Sequence, residues 1–203
     1  MQDLLRELHF ERMRNQQPVI KELEIREHKL LYKEKPGAAL GSILWESAVS
    51  LCHFIDRNRS LFENKRVIEL GSGLGLPSIL VSRVAEYCVA TDKPEMIPLL
   101  TENININQTG RIEARELEWG NSIGKFDIIL GADIVYYNNS FTSLYHSIQA
   151  SSTPSTLIFL SYKPRHSSEE IFFKTMDSSF SCISTSAINE STIICYKEKS
   201  NIN

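Results

Sequence analysis

Cysteine is scarce and scattered in this chain of 203 residues: Cys52, Cys88, Cys182 and Cys195 form no C-x-x-C pair. Zinc sites draw on clustered ligands, so no metal site is expected, and the thiols are expected to be buried and structural in a reducing compartment. Cys52 adjoins His53, but neighbours on a helix point apart and make a poor nucleophile–base pair. No apolar run reaches the ~18 residues of a membrane span, and the opening MQDLLRELHFERMRNQQ lacks the apolar core of a signal peptide. Basic excess is missing too. Lys and Arg number 22 against 25 Asp and Glu, for a net charge of -3, which leaves no general field for a nucleic-acid backbone. The expectation is a cytoplasmic protein, with the nucleus as the alternative, and neither a membrane nor a nucleic-acid partner.

What is present suits one globular domain: 42% hydrophobic and 23% charged residues, in a length that can bury a single core. Residues 1–18 are charged and loosely amphipathic, an arm or short helix ahead of a domain over 19–203. VIKELEIREHKLLYKE, from Val19, has two apolar stretches around Glu27-His28, a β-hairpin pattern, with a charged helix as the other option. Pro36, Gly37 and Gly41 then break the pattern. Apolar spacing predicts helices over 43–55, 76–87, 96–108, 140–151 and 168–180. Between them VIEL (67–70), CVATD (88–92), RIEARELEW (111–119), FDIILGADIVYY (126–137) and STLIFLSYK (155–163) read as strands. CISTSA and STIICYKEK close the chain as an antiparallel pair. Strands alternating with helices argue for an α/β fold, a mostly parallel, doubly wound sheet covered on both faces.

The chemistry concentrates at VIELGSGLGLPSI, where a buried-looking strand meets Gly71, Gly73 and Gly75. A glycine turn between strand and helix lets a ligand approach the backbone at the sheet's carboxyl edge. A nucleoside there wants a carboxylate about 20 residues on for its ribose hydroxyls. Asp92 lies 21 residues after Gly71, at the end of CVATD. The spacing is G-x-G-x-G, with Leu76 where a dinucleotide fingerprint has its third glycine. Glu69, inside the strand, repels a pyrophosphate but welcomes a cation. A ribose, no phosphate and a positive centre together describe S-adenosylmethionine, whose ammonium group Glu69 would reach directly or through water.

The turn resembles motif I of class I, or seven-β-strand, methyltransferases. GSILWESAVSLCHFI (41–55), LEWG (117–120) and ADIVYY (132–137) are similar, in the same order, to the protein-lysine branch of methyltransferase family 16. The resemblance spans roughly residues 23–180 and implies a Rossmann-like fold with S-adenosylmethionine as cofactor. It further implies that Trp45 contacts the cofactor near its methionine end and that Gly71, Ser72 and Gly73 line its amino-acid and ribose parts. Asp92 would take the ribose hydroxyls, Trp119 would flank the adenine, and Ala132 would leave room beside the cofactor. Asp133 and Tyr136 match the family's D-x-x-Y motif: Asp133 would accept a hydrogen bond from the substrate amine, and Tyr136 would wall the lysine channel. The direction of Tyr137 stays open.

Tyr162 and Arg165 fit a family segment that often reads Y-E-x-R, but Lys163 stands where many relatives carry an acid. For Arg165 and His166 a solvated loop is at least as good a reading. Asn103 and Asn105 also echo the family, as side chains tying their helix to neighbouring backbone. The resemblance implies a protein-lysine N-methyltransferase acting on a folded cytosolic protein such as a translation elongation factor or chaperone, and the size and acidic balance of the chain lead us to expect a monomer. The alternatives are methylation of protein arginine or histidine, or a partner protein that binds S-adenosylmethionine without catalysis.

Overall fold

The computed structural model describes residues 19–108, 110–136, 138–165 and 169–199. The arm expected over 1–18, Tyr137 and His166 lie outside the described residues. Strands that are apolar on both faces need cover on both sides, and the chain supplies it by alternating strand and helix. A hairpin of β1 (Val19–Ile25) and β2 (His28–Glu34) is followed by α1 (Glu46–Arg57), β3 (Arg66–Leu70) and α2 (Leu76–Val81). Next come β4 (Tyr87–Asp92), α3 (Ile97–Asn107), β5 (Ile112–Glu116) and β6 (Ile128–Ala132). Then α4 (Phe141–Ser151), β7 (Leu157–Tyr162), α5 (Glu169–Ser179), β8 (Phe180–Ile188) and β9 (Ser191–Glu198) complete the domain.

The main sheet has seven strands in the order β5-β4-β3-β6-β7-β9-β8, and the hairpin forms its own two-stranded sheet. Pairings from β5 through β7 are parallel, and β9 and β8 add antiparallel. This is the expected doubly wound architecture with a C-terminal antiparallel pair and an N-terminal hairpin. The chain winds outward from β3 to β5, then returns to lay β6 on the other side of β3. That reversal opens a crevice beyond the carboxyl ends of β3 and β6, where α/β folds bind ligands.

Side-chain alternation sorts the core. Val67, Ile128, Leu130 and Phe159 face Leu51, Phe54 and Ile79 of α1 and α2. Ile68, Leu70, Ile129 and Ile158 face Leu144 and Ile148 of α4 and Phe172 and Met176 of α5. Helix α1 buries Ser47, Ser50, Leu51, Phe54 and Ile55, one stripe at helical spacing. The hairpin joins the first layer through Ile25 and Leu30.

Several expectations need correction. The strand read over 126–137 stops at Ala132, because Asp133 turns into the left-handed region at φ 53°. The helix read over 76–87 stops at Val81. Its continuation is diverted: Asn64 N–H donates to the Val84 carbonyl and Glu86 N–H to that of Lys65, which leads straight into β4. Cys182 is exposed, unlike Cys52, Cys88 and Cys195. Asn105 is exposed as well, and the helix is tied instead by Asn103 and Asn107, one turn apart. Asn103 Oδ1 accepts from Lys33 N–H at 2.7 Å while its amide donates to the carbonyls of Lys33 and Leu74, each at 3.2 Å. Asn107 Oδ1 accepts from Leu31 N–H at 2.9 Å and its amide donates to the Leu31 carbonyl at 2.7 Å.

Candidate active site

Beyond the carboxyl ends of β3, β4 and β6 lies a cavity of about 690 Å³, and the ten residues assigned from the sequence to the cofactor or the acceptor all line it: Trp45, Glu69, Gly71, Ser72, Gly73, Asp92, Trp119, Ala132, Asp133 and Tyr136. Its size falls within the range of small-molecule sites.

The glycine turn forms the floor. Gly71 and Gly73 hold φ of +64° and +53°, a region costly for most side chains. A Cβ on Gly71 would sit 2.8 Å from Ile134 Cγ2, and one on Gly73 would sit 2.9 Å from the Gly41 carbonyl oxygen. The space a side chain would take here is thus filled by protein, a refinement of the expectation that the glycines chiefly make room for a ligand. Their absence of side chains brings the 40–42 turn and Ile134 close against the loop, which leaves the cavity walled on both sides.

Asp92 clamps this floor. One carboxylate oxygen, Oδ2, accepts from Gly73 N–H at 2.7 Å, and Oδ1 accepts from Lys93 N–H at 2.8 Å. Burial pushes its carboxyl above the ordinary aspartate value, against the pull of the two backbone donors. A carboxylate offers about four lone-pair positions, so two remain for hydroxyl donors in the cavity.

Glu69 is almost fully buried and accepts through Oε2 from Ser78, both from its backbone N–H at 3.0 Å and from its hydroxyl. Burial raises its carboxyl from 4.5 to about 7, with the Ser78 hydrogen bonds opposing the rise. A folded-state value above the unfolded one means the native state holds this proton more tightly. Its stability contribution is therefore full below pH 4.5 and lost as pH rises through 7. Between pH 5 and pH 8 the wild type should lose about 2 to 3 kcal/mol from this group. Glu69→Gln should remove that slope, and urea midpoints of both proteins at the two pH values check it; parallel slopes would show that the group is charged throughout.

The opposite wall is built by α1, the turn after β6 and the segment after β7. Trp45 caps α1 and its indole Nε1–H donates to the Leu40 carbonyl at 2.9 Å. Asp133 occupies its left-handed position with its N–H on the Ser161 carbonyl at 2.8 Å, so β7 dictates where the carboxylate goes. Left-handed backbone is uncommon outside glycine but tolerated by aspartate. The Asp133 side chain is 6% exposed and Oδ2 accepts from Arg165 Nη2 at 3.2 Å. The Arg165 guanidinium also lies 5.2 Å from the Trp45 ring centroid, within cation–π range. Tyr136 stands at the mouth, 38% exposed.

Arg165 does lie in an exposed loop, as one of its two readings expects, and that loop nevertheless sets its guanidinium against Asp133 and Trp45. The partial Y-x-x-R match was the signal available. Lys163 donates to Glu46 Oε2 at 2.9 Å and is also paired with Glu190, which gives the departing cation two acidic partners. Gly41 was read as a breaker, and nothing in its spacing announces its contact with Gly73.

The profile of the lysine methyltransferase family matches residues 24–179. Protein N-lysine methyltransferase METTL21A of Danio rerio is 31% identical over 170 residues, covering 79% of this chain and 78% of that protein. EEF1A lysine methyltransferase 3 of Xenopus tropicalis is 36% identical over 137 residues, covering 64% of this chain and 61% of that protein. Among solved structures, the ribosomal protein L11 methylase of Lactobacillus delbrueckii subsp. bulgaricus superposes with a TM-score of 0.62 at 16% identity, over 76% of this chain and 80% of its own. Magnesium protoporphyrin IX methyltransferase of Synechocystis PCC 6803, with bound SAM, gives a TM-score of 0.61 at 15% identity, over 76% and 79%. At such identities the two structures speak for the fold alone.

Proposed function

We propose, on the premise that the chain belongs to the lysine methyltransferase family, that it methylates a lysine side chain of a folded cytoplasmic protein with S-adenosylmethionine as donor. The observation that carries this reading is one cavity holding the Asp92-clamped glycine turn on one wall and the Asp133 carboxylate on the other. When bound, the cofactor supplies an electrophilic methyl carbon on a sulfonium.

The residues present fit that group. Asp92 has lone pairs left for two ribose hydroxyls, and Trp119 offers an aromatic face for the adenine. Glu69, Ser72 and Gly73 suit the amino-acid end, where an ammonium would draw the buried Glu69 carboxyl to its charged form and be balanced by it. The Trp45 ring attracts cations, and the Arg165 guanidinium already lies over it.

On the acceptor side the chain must orient an amine, keep water out and favour loss of a proton. A free lysine has a pKa of ~10.4, so at neutral pH nearly all of it is ammonium and cannot attack. Asp133 accepts a hydrogen bond from the amine and aims its lone pair, while Tyr136 walls the entrance. Displacement in line gains chiefly from alignment of this kind. Among acceptors, elongation factor 1A is the first to try, because the Xenopus tropicalis relative is named for acting on it.

Incubating a cytosolic extract and purified elongation factor 1A with the protein and tritiated cofactor, followed by mass spectrometry of the labelled band, tests the reading. The expected result is label on a lysine of a discrete protein. Label on arginine or histidine would replace the acceptor, and cofactor binding without label on any protein would overturn the transferase reading.

A further inference from the structure

A lone carboxylate beside the acceptor poses a difficulty, since it stabilises the ammonium form that cannot react. The geometry of Arg165 resolves it. Its Nη2 donates to Asp133 Oδ2 at 3.2 Å and its guanidinium lies over the Trp45 ring at 5.2 Å, so a permanent positive charge is fixed on one oxygen of the carboxylate. Among the described residues, Oδ1 accepts only a long contact, 3.4 Å, from Lys163 N–H. The Arg165 backbone is itself held at the start of α5, its N–H shared by the two Glu169 carboxylate oxygens at 3.2 and 3.4 Å.

Resting on the acceptor reading above, we propose that Arg165 is a positioning residue that cancels the charge of Asp133, so that this carboxylate aims the acceptor amine without holding it protonated. The remaining charges near Asp133 are accounted for. Lys163, on the same segment as Arg165, turns its ammonium to Glu46 of α1 and to Glu190 between β8 and β9, so that group is compensated. Glu169 of α5 faces the Arg165 backbone, and the Tyr136 phenol stands at the mouth. Glu69 and Asp92, from β3 and β4, line the cofactor side, with Lys93, Glu95 and Glu118 farther along the same cavity. None of these replaces a guanidinium in contact with Asp133. A unit charge a few ångströms from an amine in a partly buried site moves its titration by about one to two pH units.

The test follows kcat against pH from 6.5 to 10 for wild type, Arg165→Gln and Arg165→Lys. The acceptor is the protein that wild type labels in extract, purified and saturating, and S-adenosylmethionine affinity is measured alongside by calorimetry. Arg165→Gln should move the rising limb about one to two units to higher pH, so that kcat falls about tenfold to a hundredfold at pH 7 and recovers towards pH 10. Arg165→Lys keeps the charge and should keep the wild-type limb. A uniform loss at every pH would assign Arg165 a purely structural part and overturn the inference. A gain at every pH would mean that it obstructs the amine, with the same consequence. No label with wild type removes the acceptor reading itself, whereas a labelled acceptor whose profile ignores Arg165→Gln removes this inference alone.

Discussion

Replacing Asp92 by alanine should weaken S-adenosylmethionine binding by about a hundredfold or more. On the proposed assignment, two hydrogen bonds from ribose hydroxyls to a charged acceptor would contribute about 1.5–3 kcal/mol each, and both would be lost. The variant also strips Gly73 N–H of its partner at 2.7 Å, which loosens a loop already confined to left-handed backbone. Asp92→Asn is a milder probe: its amide oxygen can still accept from Gly73 N–H, but the charge is gone and its NH2 then faces the Lys93 N–H that Oδ1 accepts from; about a tenfold loss is expected. Isothermal calorimetry reads both, and undiminished affinity in Asp92→Ala would remove the ribose assignment.

Asp133→Asn should do the reverse, leaving cofactor affinity within about threefold of wild type while methyl transfer drops about a hundredfold to a thousandfold. Asparagine is the better probe than alanine because it tolerates the φ of 53° that the chain adopts here. It also keeps the volume against Arg165 and Lys163. The loss therefore reports on the carboxylate and not on a collapsed turn. Initial rates of label incorporation at saturating cofactor measure it, and full activity would exclude Asp133 from the acceptor site.

The architecture was readable because strand–helix alternation, two-sided apolar strands and a glycine turn are local signals, and Asp92 followed from spacing alone. Boundaries set by distant backbone were not readable. The end of β6 depends on Asp133 bonding to Ser161 of β7, and the end of α2 on Val84 and Glu86 serving residues 64 and 65. Arg165 was hidden for a like reason. Its meaning lies in a carboxylate 32 positions earlier and an indole at the cap of the first helix, contacts that no sequence period encodes. Asn107 escaped notice beside Asn105 because only the three-dimensional facing of α3 against β2 distinguishes them.

The hairpin's inner strand, β2, shows what those asparagines achieve. Leu31 and Lys33 turn N–H and C=O away from β1, and Asn107 and Asn103 meet all four groups; Arg83 takes the Lys29 carbonyl at 3.1 Å. A strand margin that would otherwise invite another molecule to zip alongside is thus stopped by side chains, a safeguard against self-association of the kind sheet rims require.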